Sequence, residues 1–182
     1  GERMKQINRF LKIGLVLAIL GAGYFFTSLT IFDRTFIQLN ASQKVNYIPF
    51  EKRLNMQCDK ADNLVPKLAS SRFHLITWNV HKGQDTGWQE DLERLSKQAD
   101  FVLLQEATQH QNLSTFSTAL FVSSFSFKDL LSGVKTFTNT QPEWYCGGGV
   151  AEPLIRIHKV ASVMNFPLEK GDSLLLINLH LI

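Results

Sequence analysis

Twenty consecutive uncharged residues, Ile13 to Phe32 (IGLVLAILGAGYFFTSLTIF), limit what this chain can become more than any other segment. As a helix, such a run is long enough to cross ~30 Å of hydrocarbon. It lacks the polar stripe that a buried core helix usually carries. Arg3, Lys5, Arg9 and Lys12 crowd its amino-terminal side, whereas Asp33 and Arg34 cancel just beyond it. The positive-inside rule then keeps the amino terminus in the cytoplasm and exports the chain beyond the apolar run. A cleaved signal peptide, with Gly21, Ala22 and Gly23 at a processing site, competes with this reading. The apolar run continues for nine residues past Gly23, which favours an uncleaved anchor. The expected organisation is a basic cytoplasmic segment 1–12, a transmembrane helix 13–32, a connector 33–72 and a globular domain 73–182. The expected location is a bacterial inner membrane, single-pass, with the domain outside the cytoplasm; a cytoplasmic domain is the alternative.

The remaining length suits one domain plus an appendage, and 45% hydrophobic residues is normal for a globular chain. A formal charge of +3, much of it at the amino terminus, argues for membrane orientation and not for nucleic acid. Cys58 and Cys146 lack zinc-ligand spacing. In an exported domain they are candidates for a disulfide, and in a cytoplasmic one they are ordinary thiols.

Within the domain, two segments end apolar strands on polar residues: Phe73-His-Leu-Ile-Thr-Trp-Asn-Val-His-Lys-Gly83 and Phe101-Val-Leu-Leu-Gln-Glu106. The first shows little alternation, as expected of a strand covered on both faces. Between them, Thr86 and Gln89 have capping-box spacing, and Trp88, Leu92, Leu95 and Ala99 recur at helical intervals, predicting a helix over 88–98. Strand, helix and strand in this order bring both carboxyl ends to one edge. Residues 107–132 resist assignment, and 133–138 reads as a short strand. Residues 141–153, with Pro142, three glycines and Pro153, read as a loop. Segments 160–166 and 174–181 read as strands joined by hairpin chemistry through Gly171, and the last carries Asn178 and His180.

The segments TWNVHKG, FVLLQEA and LLLINLHL resemble the first three blocks of the endonuclease/exonuclease/phosphatase (DNase I-like) family. Residues 73–182 as a whole resemble a bacterial subgroup of it. The resemblance implies an α+β (α/β) four-layer sandwich, two packed sheets flanked by helices, truncated after roughly its first half. It implies a metal-dependent phosphoesterase acting on a phosphodiester or phosphomonoester, with Mg²⁺ as cofactor and Mn²⁺ or Ca²⁺ not distinguished. By the same resemblance Glu106 is the metal ligand, with Asn79 beside it, and Asn79 and His180 are catalytic. The partners implied are a phosphate-ester substrate and, through 13–32, the membrane.

Without the resemblance, each residue has a plainer role. Glu106 is then a solvated strand end, Asn79 a turn residue and His180 a core histidine. His81, Lys82, Arg156, His158 and Lys159 would either contact phosphate or simply be solvated. The family's later Gly-Asp-x-Asn and Ser-Asp-His blocks are absent from this sequence. The expectation is therefore an inactive fragment exposing an apolar sheet face, or else a non-catalytic membrane-tethered binding or scaffolding module.

Overall fold

The protein is described by a computed structural model, which places residues 2–40, 46–49, 55–61, 65–69, 72–150 and 158–180. Helix α1, Glu2–Ser28, contains most of the apolar run and leaves it unburied, touching the domain at its foot through Phe25. Its stretch Gln6–Ser28 is long and apolar enough to cross a membrane. The helix stops four residues before the end of the uncharged run. Leu29-Thr-Ile-Phe32 instead opens strand β1, Leu29–Leu39, in keeping with the extended preference of β-branched and aromatic residues. Thr27 ends the helix with its hydroxyl donating to the Gly23 and Tyr24 carbonyls.

The connector is more structured than its composition suggests, because β1 is succeeded there by β2, Asn46–Pro49, and β3, Asn55–Lys60. Strand β4, Leu75–Asn79, helix α2, Trp88–Ser96, and β5, Phe101–Thr108, form the expected crossover, and β4 pairs parallel with β5. Two details differ from expectation. β4 is an edge strand with Leu75 half exposed, so it is not covered on both faces. The capping box does not form: Gly87, at φ 78, starts α2 without a side-chain cap.

The unassigned stretch supplies β6, Thr118–Phe127, which pairs with β7, Leu130–Thr138. Lys128 and Asp129, both at positive φ, make the two-residue turn between them. The predicted loop over 141–153 is a strand over much of its length: β8, Trp144–Val150. Its glycines permit close strand and sheet approach. A Cβ on Gly147 would stand 2.7 Å from Ile37 Cγ1, and one on Gly148 would collide with the Asn55 carbonyl oxygen. The hairpin of β9, Lys159–Pro167, and β10, Ser173–Leu179, forms as expected.

These strands make two sheets, ordered β2-β1-β6-β7-β5-β4 and β10-β9-β8-β3. One core lies between them, where Ile37, Leu103 and Val122 meet Met164, Phe166 and Leu176. A second lies under α2, where Leu92 packs with Val80, Val102, Leu104 and Phe137. The described residues thus form three layers, helix on sheet on sheet. The arrangement is the expected mixed α+β class, two sheets preceded by one apolar helix. The outer face of β10 leaves Leu175, Ile177 and Leu179 exposed. Cys58 and Cys146, opposite each other on β3 and β8, form a disulfide.

Lys135 on β7 is buried to 6% exposure. Its ammonium lies over the Phe121 and Phe137 rings and donates to the Gln109 and Gln111 carbonyls. Burial pushes its pKa down from 10.5 to about 8. Below that value both folded and unfolded chains carry the charge, and folding bears the full desolvation cost. Between about 8 and 10.5 the unfolded chain holds the extra proton, so stability rises with pH by on the order of 3 kcal/mol. Unfolding midpoints of wild type and Lys135→Met, compared from neutral to alkaline pH, are expected to show this rise in wild type alone.

Candidate functional site

The site is assembled where β4 and β5 end. Between Leu104 and Ala107 the β5–β7 register shifts, so that Gln105 and Glu106 bulge out of the ladder. Glu106 adopts φ 48, in the left-handed region that few non-glycine residues occupy. Across from it the chain leaves β4 through a short 3-10 turn, His81–Gly83, in which His81 (φ 44) and Lys82 (φ 57) are left-handed too. Strained backbone of this kind persists only where surrounding structure enforces it.

That enforcement is a hydrogen-bond network. Asn79 Oδ1 accepts from the His81 N–H at 3.0 Å, the turn role that a strand-end asparagine favours. Its Nδ2 donates to Glu106 Oε1 at 2.9 Å. Lys82 Nζ donates to Glu106 Oε2 at 2.8 Å, and His180 Nε2 lies 3.9 Å from Glu106 Oε1. The Lys82 ammonium, and after it the Asn79 amide, hold the Glu106 carboxyl below its ordinary range, against the opposing effect of burial. Glu106 therefore stabilises the fold above the ordinary carboxylate pKa, and that contribution is lost as pH falls through its lowered one.

Asn79, Glu106 and His180, separated widely in sequence, are thus brought together. Lys82 joins them as the ion-pair partner of Glu106. His81 turns away toward Asp85, 3.6 Å off. His158 and Lys159 line the same cavity of about 510 Å³ as Lys82, Glu106 and His180. Arg156 lies outside the described residues.

Two contributors, Gln105 and Asn178, are visible on strand ends in the sequence but carry no role there. Asn178, 1% exposed, reaches from β10 into the first sheet. Its Nδ2 faces the Leu104 and Lys135 carbonyls, both at 3.2 Å, and Thr136 Oγ1 at 3.1 Å. Its Oδ1 accepts from Gln105 Nε2 at 2.8 Å. Gln105 also donates to Thr77 Oγ1, so the bulge that presents Glu106 is held from both sides. A polar residue inside an otherwise apolar strand was the available signal for Asn178.

The donor set does not fit a resident Mg²⁺. That ion requires near-octahedral oxygen coordination. Glu106 offers one carboxylate whose two oxygens already accept from Lys82 and Asn79, and the ammonium stands where a cation would. Among the described residues no group of three or more His, Cys, Asp or Glu could hold a metal ion.

No family model matches the chain, and no solved structure does. Its relatives include a UPF0294 protein of Yersinia pseudotuberculosis, 33% identical over 130 residues that cover 68% of this chain and 50% of that protein. A UPF0294 protein of Photorhabdus laumondii is 28% identical over 144 residues, 74% of this chain and 55% of that protein. One of Klebsiella pneumoniae is 31% identical over 120 residues, 63% and 45% respectively. The chain spans about half the length of the curated relatives it matches. These findings overturn the resemblance to the endonuclease/exonuclease/phosphatase family, since the relatives carry another family's name. The phosphoesterase function, with its description as a metal-binding hydrolase, falls with it.

Proposed function

We propose that this chain is a membrane-anchored domain that holds a phosphate-bearing ligand beside the outer surface of a bacterial inner membrane. The observation that carries the reading is the Lys82–Glu106–Asn79–His180 cluster, in which Lys82 and Glu106 stand on left-handed backbone and, with His180, line the cavity. Backbone strain gathered at one cavity, with polar side chains fixed by a second ring of hydrogen bonds, is how binding sites are commonly built. Lys82 and Lys159 outnumber Glu106 on that wall, and two histidines add further donors. An anion with several acceptor oxygens suits this surface. Glu106 serves as organiser, holding the Lys82 ammonium in place and the Asn79 amide beside it.

The location draws on the basic residues before α1's apolar run. The Cys58–Cys146 disulfide adds support, because such bonds persist in oxidising compartments. The test is titration of the full chain in a nonionic detergent with glycerol 3-phosphate, monitored by phosphorus NMR. Saturable binding in the millimolar range is expected, weakened about tenfold or more by Lys82→Met. Absence of saturable binding, or a Lys82→Met variant that binds as well as wild type, would overturn the reading.

A further inference from the structure

The cavity beside Glu106 has a second wall that the phosphate reading leaves unused. Phe25 and Leu29, at the foot of α1 and the start of β1, line it together with Phe125 and Phe127 of β6 and Val160 of β9. Five large apolar side chains are more than a small hydrophilic anion needs. Their origin matters as much as their character, since Phe25 belongs to the helix that is long and apolar enough to cross a membrane.

The depth of this wall can be read from its neighbours. Tyr24, in the last turns of α1, is of a residue type enriched at membrane–water interfaces, and the edge-to-face pair Phe25 and Phe26 follows it. Lys128, in the β6–β7 turn, lies 5.2 Å from the Tyr24 ring centroid, and its backbone N–H donates to the Ser28 carbonyl. The Phe25 and Phe127 rings are 5.9 Å apart. Helix foot and domain are therefore joined at headgroup level, with the apolar wall nearest the bilayer. Lys82, Lys159 and His180 line the same space.

We propose that this cavity takes a phospholipid with an anionic headgroup from the membrane in which α1 is anchored. This rests on the preceding reading of the polar wall and adds the class of ligand. The acyl chains lie against Phe25, Leu29 and Phe127, while the phosphate meets Lys82, Lys159 and His180. A volume of about 510 Å³ admits the headgroup, glycerol and first methylenes of such a lipid, with the remaining tail left in the bilayer. Apolar burial near the glycerol and charge pairing at the phosphate act together, so either half of the molecule alone binds less well.

The experiment uses the full chain in nonionic detergent and compares dioctanoyl phosphatidic acid, dioctanoylglycerol and glycerol 3-phosphate by calorimetric titration. The phosphatidic acid is expected to bind at least tenfold more tightly than either other probe. Leu29→Asn is expected to remove most of that advantage. Equal affinity for phosphatidic acid and glycerol 3-phosphate overturns the lipid assignment and leaves the phosphate site standing. Equal affinity for phosphatidic acid and dioctanoylglycerol overturns it as well, since the headgroup then contributes nothing. Failure of all three probes to bind defeats both readings together. The wild-type series decides the matter even if the variant does not fold.

Discussion

Treated with a phosphine reductant, the full chain is expected to melt roughly 10–15 °C below the oxidised protein. The Cys58–Cys146 bond closes a separation of 88 residues, and the loop-entropy relation assigns such a closure about 4–5 kcal/mol. The structure adds a local reason. β3 is an edge strand whose neighbour within its sheet is β8, and the disulfide crosses that pair. Reduction removes the covalent tie on a six-residue edge strand and exposes the β8 edge when that strand frays. A Cys58→Ser/Cys146→Ser double variant should reproduce the reduced melting temperature without reductant. Unchanged melting in both preparations would mean that the bond does not constrain the unfolded chain.

Asn178→Ala is expected to cost about 3 kcal/mol, because it takes a donor from two buried carbonyls and one acceptor from the Gln105 amide. For a chain of this size the melting midpoint falls by about 10 °C. Asn178→Asp should be worse, since a carboxylate would face the acceptors that the amide now satisfies. The effect extends to the site. With Asn178 gone, Gln105 loses its shortest anchor and the Glu106 bulge loosens, so glycerol 3-phosphate binding should weaken along with stability. Unfolding and titration of the same variant check both expectations. A stable variant with a weakened site would assign Asn178 to positioning alone.

The legible parts of this chain were those where local pattern and long-range packing agree. The β4–α2–β5 crossover came from helical spacing between two apolar runs, and the β9–β10 hairpin from Gly171 between two more. The glycine-rich strand β8 was hidden because its residues mark a turn by composition. The close approach of Ile37 and Asn55 that requires those glycines involves strands remote in sequence. The strands of the connector were hidden for a similar reason, since β1 pairs with β6 some ninety residues later.

At the site, Asn79, Glu106 and His180 could be picked out as polar groups on strand ends, and the structure brings them together. Lys82 was visible only as a basic residue near Asn79. Its reversal of direction depends on left-handed backbone that no local residue preference predicts. Three short blocks matched a family pattern at strand ends, yet strand ends with polar residues are a common building plan, and the pattern did not fix the family. Nor did it reveal that the carboxylate meant for a metal is already paired with an ammonium.

Strand β1 begins at the residue after α1 ends, and its pairing with β6 starts at Leu29 opposite Phe127. There is no spacer between the apolar helix and the domain. With α1 in a membrane, as proposed above, lateral drag on it would load the short Leu29–Ile31 end of the β1–β6 ladder first, ahead of the register shift that separates Ile31 from Phe36.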